Sequence, residues 1–153
     1  MAYLWIFILP IQLFWGHQTV SDIVKVKVPE AIVYAGKRSL IKVELEVKNG
    51  YHIQANKTKD EFIIPTTLEI KTYEGIRVER TVFPPANKFQ LEGTNTYLDV
   101  YDGVFSIIIT VQTNRNIQRQ RHVLQAKLNY QACDNQRCLM PKTIEFSIQV
   151  EVK

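Results

Sequence analysis

The chain has 153 residues, 46% of them apolar and 22% charged, a composition that suits one globular domain with a packed core and excludes disorder over its bulk. Six Gly, six Pro and two Cys exclude collagen-like, linker-like and disulfide-lattice chains. The formal charge of +4 is carried in mixed sign, as in Lys42, Glu44, Glu46 and Lys48, with no aromatic-interleaved basic patch, so nucleic acid is not an expected partner.

Residues 2–15 (AYLWIFILPIQLFW) carry no charge and are nearly all apolar. A run of about 14 residues is too short for a bilayer core of roughly 30 Å, and Pro10 interrupts it. Its length suits the apolar region of a secretory signal, with Gly16, His17 and Gln18 as the polar exit, although no Lys or Arg precedes it and no small-x-small cleavage site follows. The competing reading is a buried first strand. Residues 1–18 are therefore expected to be a signal peptide or short anchor and residues 22–153 the domain itself. Export would permit a disulfide.

From Asp22 onward the pattern has period two. Val24, Val26 and Val28 alternate with Lys25 and Lys27, and Ile41, Val43, Leu45 and Val47 alternate with charged neighbours, each reading as a half-buried strand. Leu68 and Ile70 continue it, as do residues 76–82, 104–111, 124–132 and 144–152. The turn signals Asn49-Gly50, Glu74-Gly75, Pro84-Pro85 and Asp102-Gly103 separate them. Seven or eight short strands with half-exposed faces predict an all-β, immunoglobulin-like antiparallel β-sandwich and argue against a parallel sheet. Residues 51–65 (YHIQANKTKDEFIIP) and 84–98 (PPANKFQLEGTNTYL) are expected to be long connections, and the basic run 115–121 (RNIQRQR) a hairpin loop.

Cys133 and Cys138 enclose four residues (CDNQRC) at the end of the strand that carries Leu124, Ala126, Leu128 and Tyr130. Closing so small a ring stabilises by about 2 kcal/mol, against nearly 5 for a 100-residue loop, so a purely structural bridge is poorly placed here. Thiol exchange, by contrast, needs one attacking and one resolving sulfur within reach of each other in an accessible loop. Arg137 beside Cys138 favours that thiolate and Asp134 beside Cys133 disfavours the other, which points to Cys138 as the attacking sulfur. Three readings stay open on the residues alone: a redox-active pair, a passive local staple, and a zinc site. The last lacks paired cysteine knuckles, since His17, His52 and His122 are scattered. No GxSxG, P-loop or HExxH is present. Neither a metal nor a cofactor is expected.

Residues 128–141 (LNYQACDNQRCLMP) resemble the YQ-x-C…C-x-x-P signature of the amino-terminal periplasmic domain of the thiol:disulfide interchange protein DsbD. Asn49-Gly50-Tyr51-His52-Ile53, Ile64 to Leu68, Val82-Phe83-Pro84-Pro85 and Val100-Tyr101-Asp102-Gly103 are similar to further segments of that family, in the same order. The resemblance implies an immunoglobulin-like domain whose cysteine pair is fed electrons by a thioredoxin-like protein and reduces disulfides in exported proteins or cytochrome c maturation factors. It makes Cys133 and Cys138 the exchanging pair and places Tyr51, His52 and Gln54 beside it, with Tyr130 and Gln131 preceding it on the same strand. Alternation turns Tyr130 inward with Leu128, so a core role weighs equally for that residue. The family shields its cysteines with a cap loop bearing an aromatic residue. The equivalent here is residues 92–97 (EGTNTY), with Tyr97 displaced by a few positions, and Met140 stands where the signature has its second Pro.

Full-length members continue into a multi-helix membrane domain and a thioredoxin-like domain, whereas this sequence stops at Lys153. The expectation is thus a periplasmic or otherwise exported bacterial domain, a component of protein-disulfide reduction. It would work with thioredoxin-like donors and acceptors and a separate membrane electron carrier. The alternative is a non-catalytic immunoglobulin-like binding module whose bridge only fixes a loop.

Overall fold

The computed structural model describes residues 23–58 and 62–153. The segment expected to be a signal or anchor, residues 1–18, lies outside them. Twelve strands form among the described residues: β1 (Val24–Lys27), β2 (Ala31–Val33), β3 (Arg38–Val47), β4 (His52–Gln54), β5 (Thr67–Lys71), β6 (Ile76–Val82), β7 (Asn87–Gln90), β8 (Tyr97–Tyr101), β9 (Val104–Thr113), β10 (Arg121–Tyr130), β11 (Ala132–Cys133) and β12 (Lys142–Val152). They make three four-stranded sheets, ordered β1-β3-β9-β6, β2-β12-β10-β5 and β11-β4-β8-β7.

Alternation decides which faces meet. Ile41, Val43 and Leu45 of β3 and Ile107, Ile109 and Val111 of β9 turn one way and are buried; Leu124, Ala126 and Leu128 of β10 and Ile148 and Val150 of β12 face them in the same core. The first two sheets therefore pack as an all-β, immunoglobulin-like sandwich, and each fully buried aliphatic side chain contributes about 1.5–3 kcal/mol to holding it. The opposite face of β3 is charged and self-neutralising: Lys27 lies 3.0 Å from Glu46 and 3.9 Å from Glu44, and Lys42 lies 3.6 Å from Glu44. The basic run from Arg115 is not the hairpin loop expected of it: it crosses from β9 in the first sheet to β10 in the second, and Arg121 already belongs to β10, because β9 pairs with β3 and β6 and β10 with β12 and β5.

Further expectations change: twelve strands form among the described residues where seven or eight are expected, because the added ones are short. The stretches 51–65 and 84–98 are not wholly connections, because β4 lies in the first and β7 and the start of β8 in the second. Strands of three or four residues cannot display an alternation, and three of the four β7 side chains are exposed. The sheets are also not purely antiparallel: β2 runs parallel to β12, with Val33 opposite Val152.

The third sheet grows from one end of the sandwich. The Asn49-Gly50 turn carries the chain from β3 into β4, and the Asp102-Gly103 turn joins β8 to β9. Gly50 and Gly103 have φ of 81° and 59°, and an added Cβ would meet nothing within 4 Å, so it is the left-handed backbone and not crowding that favours glycine. Val47 N–H donates to the Gly103 carbonyl at 2.8 Å, tying both turns together. β11 follows β10 after the single residue Gln131, so the cysteine loop lies at this same end.

Candidate functional site

Cys133 ends β11, opposite His52 of β4, and its sulfur is bonded to that of Cys138 at 2.04 Å. The intervening residues fold back because Asp134 nucleates a turn. Its Oδ1 accepts the backbone N–H groups of Gln136 and Arg137, both at 2.8 Å, and its own N–H donates to the Arg137 carbonyl at 3.0 Å. Leu139 N–H closes the loop onto the Ala132 carbonyl at 2.7 Å. The two donated N–H groups hold the Asp134 carboxyl below its ordinary pKa. Arg137, largely exposed, turns its Nε to within 3.9 Å of Asp134 Oδ2.

The two sulfurs differ in access. Cys133 is fully buried, in a small cluster with Leu98 and Val100 that the partly buried Ile63, Phe89 and Cys138 complete; Cys138 keeps some exposure. Gln54, 1% exposed, enters this cluster from β4. Its Nε2 donates to Cys133 Sγ at 3.0 Å and lies 3.6 Å from Cys138 Sγ. Its backbone is fixed on both sides: the N–H donates to the Gln131 carbonyl at 3.0 Å, and the carbonyl accepts the hydroxyl of the buried Thr66. Gln131 spans two loops, its Oε1 accepting from Ile64 N–H at 2.9 Å and its Nε2 donating to the Leu139 carbonyl at 3.1 Å.

The other candidates are distributed around this centre. The His52 ring packs against Phe89 with centroids 4.0 Å apart and the planes tilted by 31°, and its Nδ1 lies 3.6 Å from Asp102 Oδ2. Asp102 Oδ1 in turn accepts from Asn87 Nδ2 at 3.1 Å, linking β7 to the same carboxylate. Tyr51 and Tyr130 pack in the main sandwich core, Tyr130 almost wholly buried. Tyr97 is 63% exposed and lines a recess of about 100 Å³ with Gln54, Ile63, Leu98 and Asp99. The tip between β7 and β8 reaches the cysteine loop through Glu92 N–H, which donates to the Asn135 carbonyl at 2.9 Å.

Sequence reasoning did not find Phe89, Ile63, Leu98 and Thr66. The lone aromatic in the polar run NKFQ is the one signal for Phe89, Thr66 lies in the segment Ile64 to Leu68 that carries the resemblance without being singled out there, and Ile63 and Leu98 carry no motif.

One end of the β-sandwich thus holds a disulfide between a buried and a partly exposed cysteine, with a buried carboxamide aimed at both sulfurs. The sequence profile of the N-terminal domain of the thiol:disulfide interchange protein DsbD matches residues 22–149, and the chain belongs to that family. Among solved structures it is similar to the N-terminal periplasmic domain of ScsB from Proteus mirabilis, with 15% identity and a TM-score of 0.58 over 85% of this chain and 47% of that one. The chain thus spans about half the length of that relative, and at such identity the likeness speaks to the fold. The DsbD N-terminal domain of Neisseria meningitidis in its reduced form matches with 14% identity and a TM-score of 0.46, over 76% of this chain and 82% of that one. No curated protein matches the chain.

Proposed function

We propose that the domain is an exported dithiol–disulfide electron-transfer module that exchanges electrons with thioredoxin-like proteins and reduces disulfides in extracytoplasmic proteins. Residues 1–18 serve as its leader or anchor and residues 22–153 as the working domain. The observation that carries this reading is the asymmetry of the pair: Cys138 retains exposure while Cys133 is enclosed. In the reducing direction the Cys138 thiolate attacks a target disulfide and forms a mixed disulfide. The Cys133 thiolate then displaces the target's sulfur, and the Cys133–Cys138 bond re-forms as two electrons leave for the target. A thioredoxin-like dithiol restores the pair by the reverse attack on Cys138. Exposed Tyr97 and Met140, the latter two residues beyond Cys138, supply an apolar rim for such a partner.

A Cys133→Ser variant should accumulate mixed disulfides through Cys138 in a periplasmic extract; complete failure to trap any partner counts against the proposal. The reduction potential separates it from the binding-module alternative, in which the bridge only braces the loop that Asp134 folds. A value in the region of −200 mV suits exchange, and one below about −300 mV a structural staple.

A further inference from the structure

We propose that Gln54 is the group that stabilises Cys133 as a leaving thiolate, and so directs incoming thiols to Cys138. This rests on the exchange reading above and adds to it a residue that acts on the reacting atoms.

When a dithiol reductant opens the bridge, one of its thiolates attacks Cys138 Sγ along the S–S axis. A new S–S bond forms between reductant and Cys138, the Cys133–Cys138 bond breaks, and its electron pair departs on Cys133 Sγ. The reductant's second thiol then displaces Cys138, so that the reductant ends as a disulfide and the protein as a dithiol after uptake of two protons. The first step places negative charge on a sulfur that is fully buried among Leu98, Val100, Ile63 and Phe89, an environment that penalises a thiolate. Departure therefore needs a donor already in place.

Gln54 Nε2 meets that need at 3.0 Å from Cys133 Sγ, closer than its 3.6 Å to Cys138 Sγ. Its side chain is 1% exposed, and its backbone is pinned by the Gln131 carbonyl and the Thr66 hydroxyl, so the donor requires no reorganisation as charge develops. A hydrogen bond to a charged sulfur is stronger than one to a neutral sulfur, so the contact favours the product of bond cleavage over the intact bridge. Asp134, the nearest carboxylate in the sequence, is turned toward the N–H groups of Gln136 and Arg137. By microscopic reversibility the same amide keeps Cys133 ionised for its resolving attack.

The test uses the oxidised full chain and dithiothreitol, comparing wild type with Gln54→Met and Gln54→Glu after circular dichroism has confirmed the fold of each. The methionine variant should be reduced roughly tenfold more slowly, and the glutamate variant, which presents a carboxylate to the departing sulfur, more slowly still. In a Cys138→Ser background, replacing Gln54 by Met should make Cys133 harder to ionise, moving its titration up by about one pH unit, a change that a packing role alone would not produce. If Gln54→Met destroys the fold, Gln54→Glu, of the same size, carries the comparison. Reduction of the folded variants at the wild-type rate overturns the assignment to Gln54 while leaving the exchange reading intact. A wild type that dithiothreitol reduces readily, but that neither gives nor takes electrons with thioredoxin, defeats the exchange reading and leaves the role of Gln54 to be decided by the variants.

Discussion

The backbone N–H of Glu92 donates to the carbonyl of Asn135 at 2.9 Å, which joins the tip of the β7–β8 hairpin to the centre of the cysteine loop. Glu92 also occupies the second position of a tight turn, closed by Thr94 N–H on the Leu91 carbonyl at 3.2 Å, with Gly93 third at φ 74°. A positive φ at the third position is the mark of a turn that welcomes proline at the second. Glu92→Pro should therefore keep the turn and delete only the N–H that holds the loop. The expected outcome is a loss of about 1 kcal/mol in stability and a severalfold faster reduction of the disulfide by a small dithiol, read by quenching with an alkylating agent. An unchanged rate would show that the tip does not restrain the loop.

Acid should loosen the cysteine loop before it unfolds the sandwich. The Asp134 carboxyl is held below its ordinary pKa chiefly by the N–H of Gln136, then by that of Arg137. A carboxyl whose folded pKa lies below the unfolded value stabilises fully above about pH 3.9, and this contribution is lost as pH falls through the lower folded value. Amide hydrogen exchange at Gln136 and Arg137 should show protection that declines across that acid range. In Asp134→Ala this protection should be absent at every pH, with β10 and β12 amides unaffected.

Leu128 is wholly buried and faces Leu68 of β5 and Ile144 of β12 in register. Leu128→Ala should cost about 2–5 kcal/mol by opening a cavity in the core between the two packed sheets. Since the cysteine cluster is separate from this core, the folded fraction should retain the wild-type rate of disulfide reduction. Denaturant titration and a reduction assay below the transition check both halves. A parallel fall in both would mean that the third sheet depends on the sandwich more closely than the two clusters suggest.

The sandwich was readable because β3, β9, β10 and β12 are ten or eleven residues long, enough for Ile41, Val43 and Leu45, or Leu124, Ala126 and Leu128, to declare a buried face. The third sheet was not. β4, β7 and β11 have three, four and two residues, and His52, Asn87 and Lys88 give them a polar cast that propensity assigns to loops. Their pairing is imposed by the glycine turns and by neighbouring strands, which is tertiary information.

At the site, the spacing of the two cysteines permits a local bond among the readings it leaves open, whereas the group that touches both sulfurs lies 79 residues before Cys133. No periodicity connects positions so far apart, and Gln54 was visible through the family resemblance alone. The resemblance makes Tyr97 the aromatic cover near the pair, yet Phe89 is the ring that shares the apolar cluster with Cys133 and packs against His52. Phe89 sits on β7, a strand the sequence does not announce, so its facing could not be derived.

The stability carried by the disulfide should be small, and this follows from where it lies. Cys133 and Cys138 are five apart in sequence and belong to the lesser cluster, while the two large sheets meet without them. Ring closure over so few residues restricts the unfolded chain little, by about 2 kcal/mol. The loop is already bent by Asp134 and closed by Leu139 onto Ala132, so its fold does not wait on the bond. Reduction should therefore lower the melting temperature by only roughly 5–8 °C and leave the far-ultraviolet circular dichroism of the sandwich unchanged. Calorimetry with and without dithiothreitol measures this. A module that cycles between both states must fold in both; collapse of the sandwich on reduction would identify the bridge as a structural brace instead.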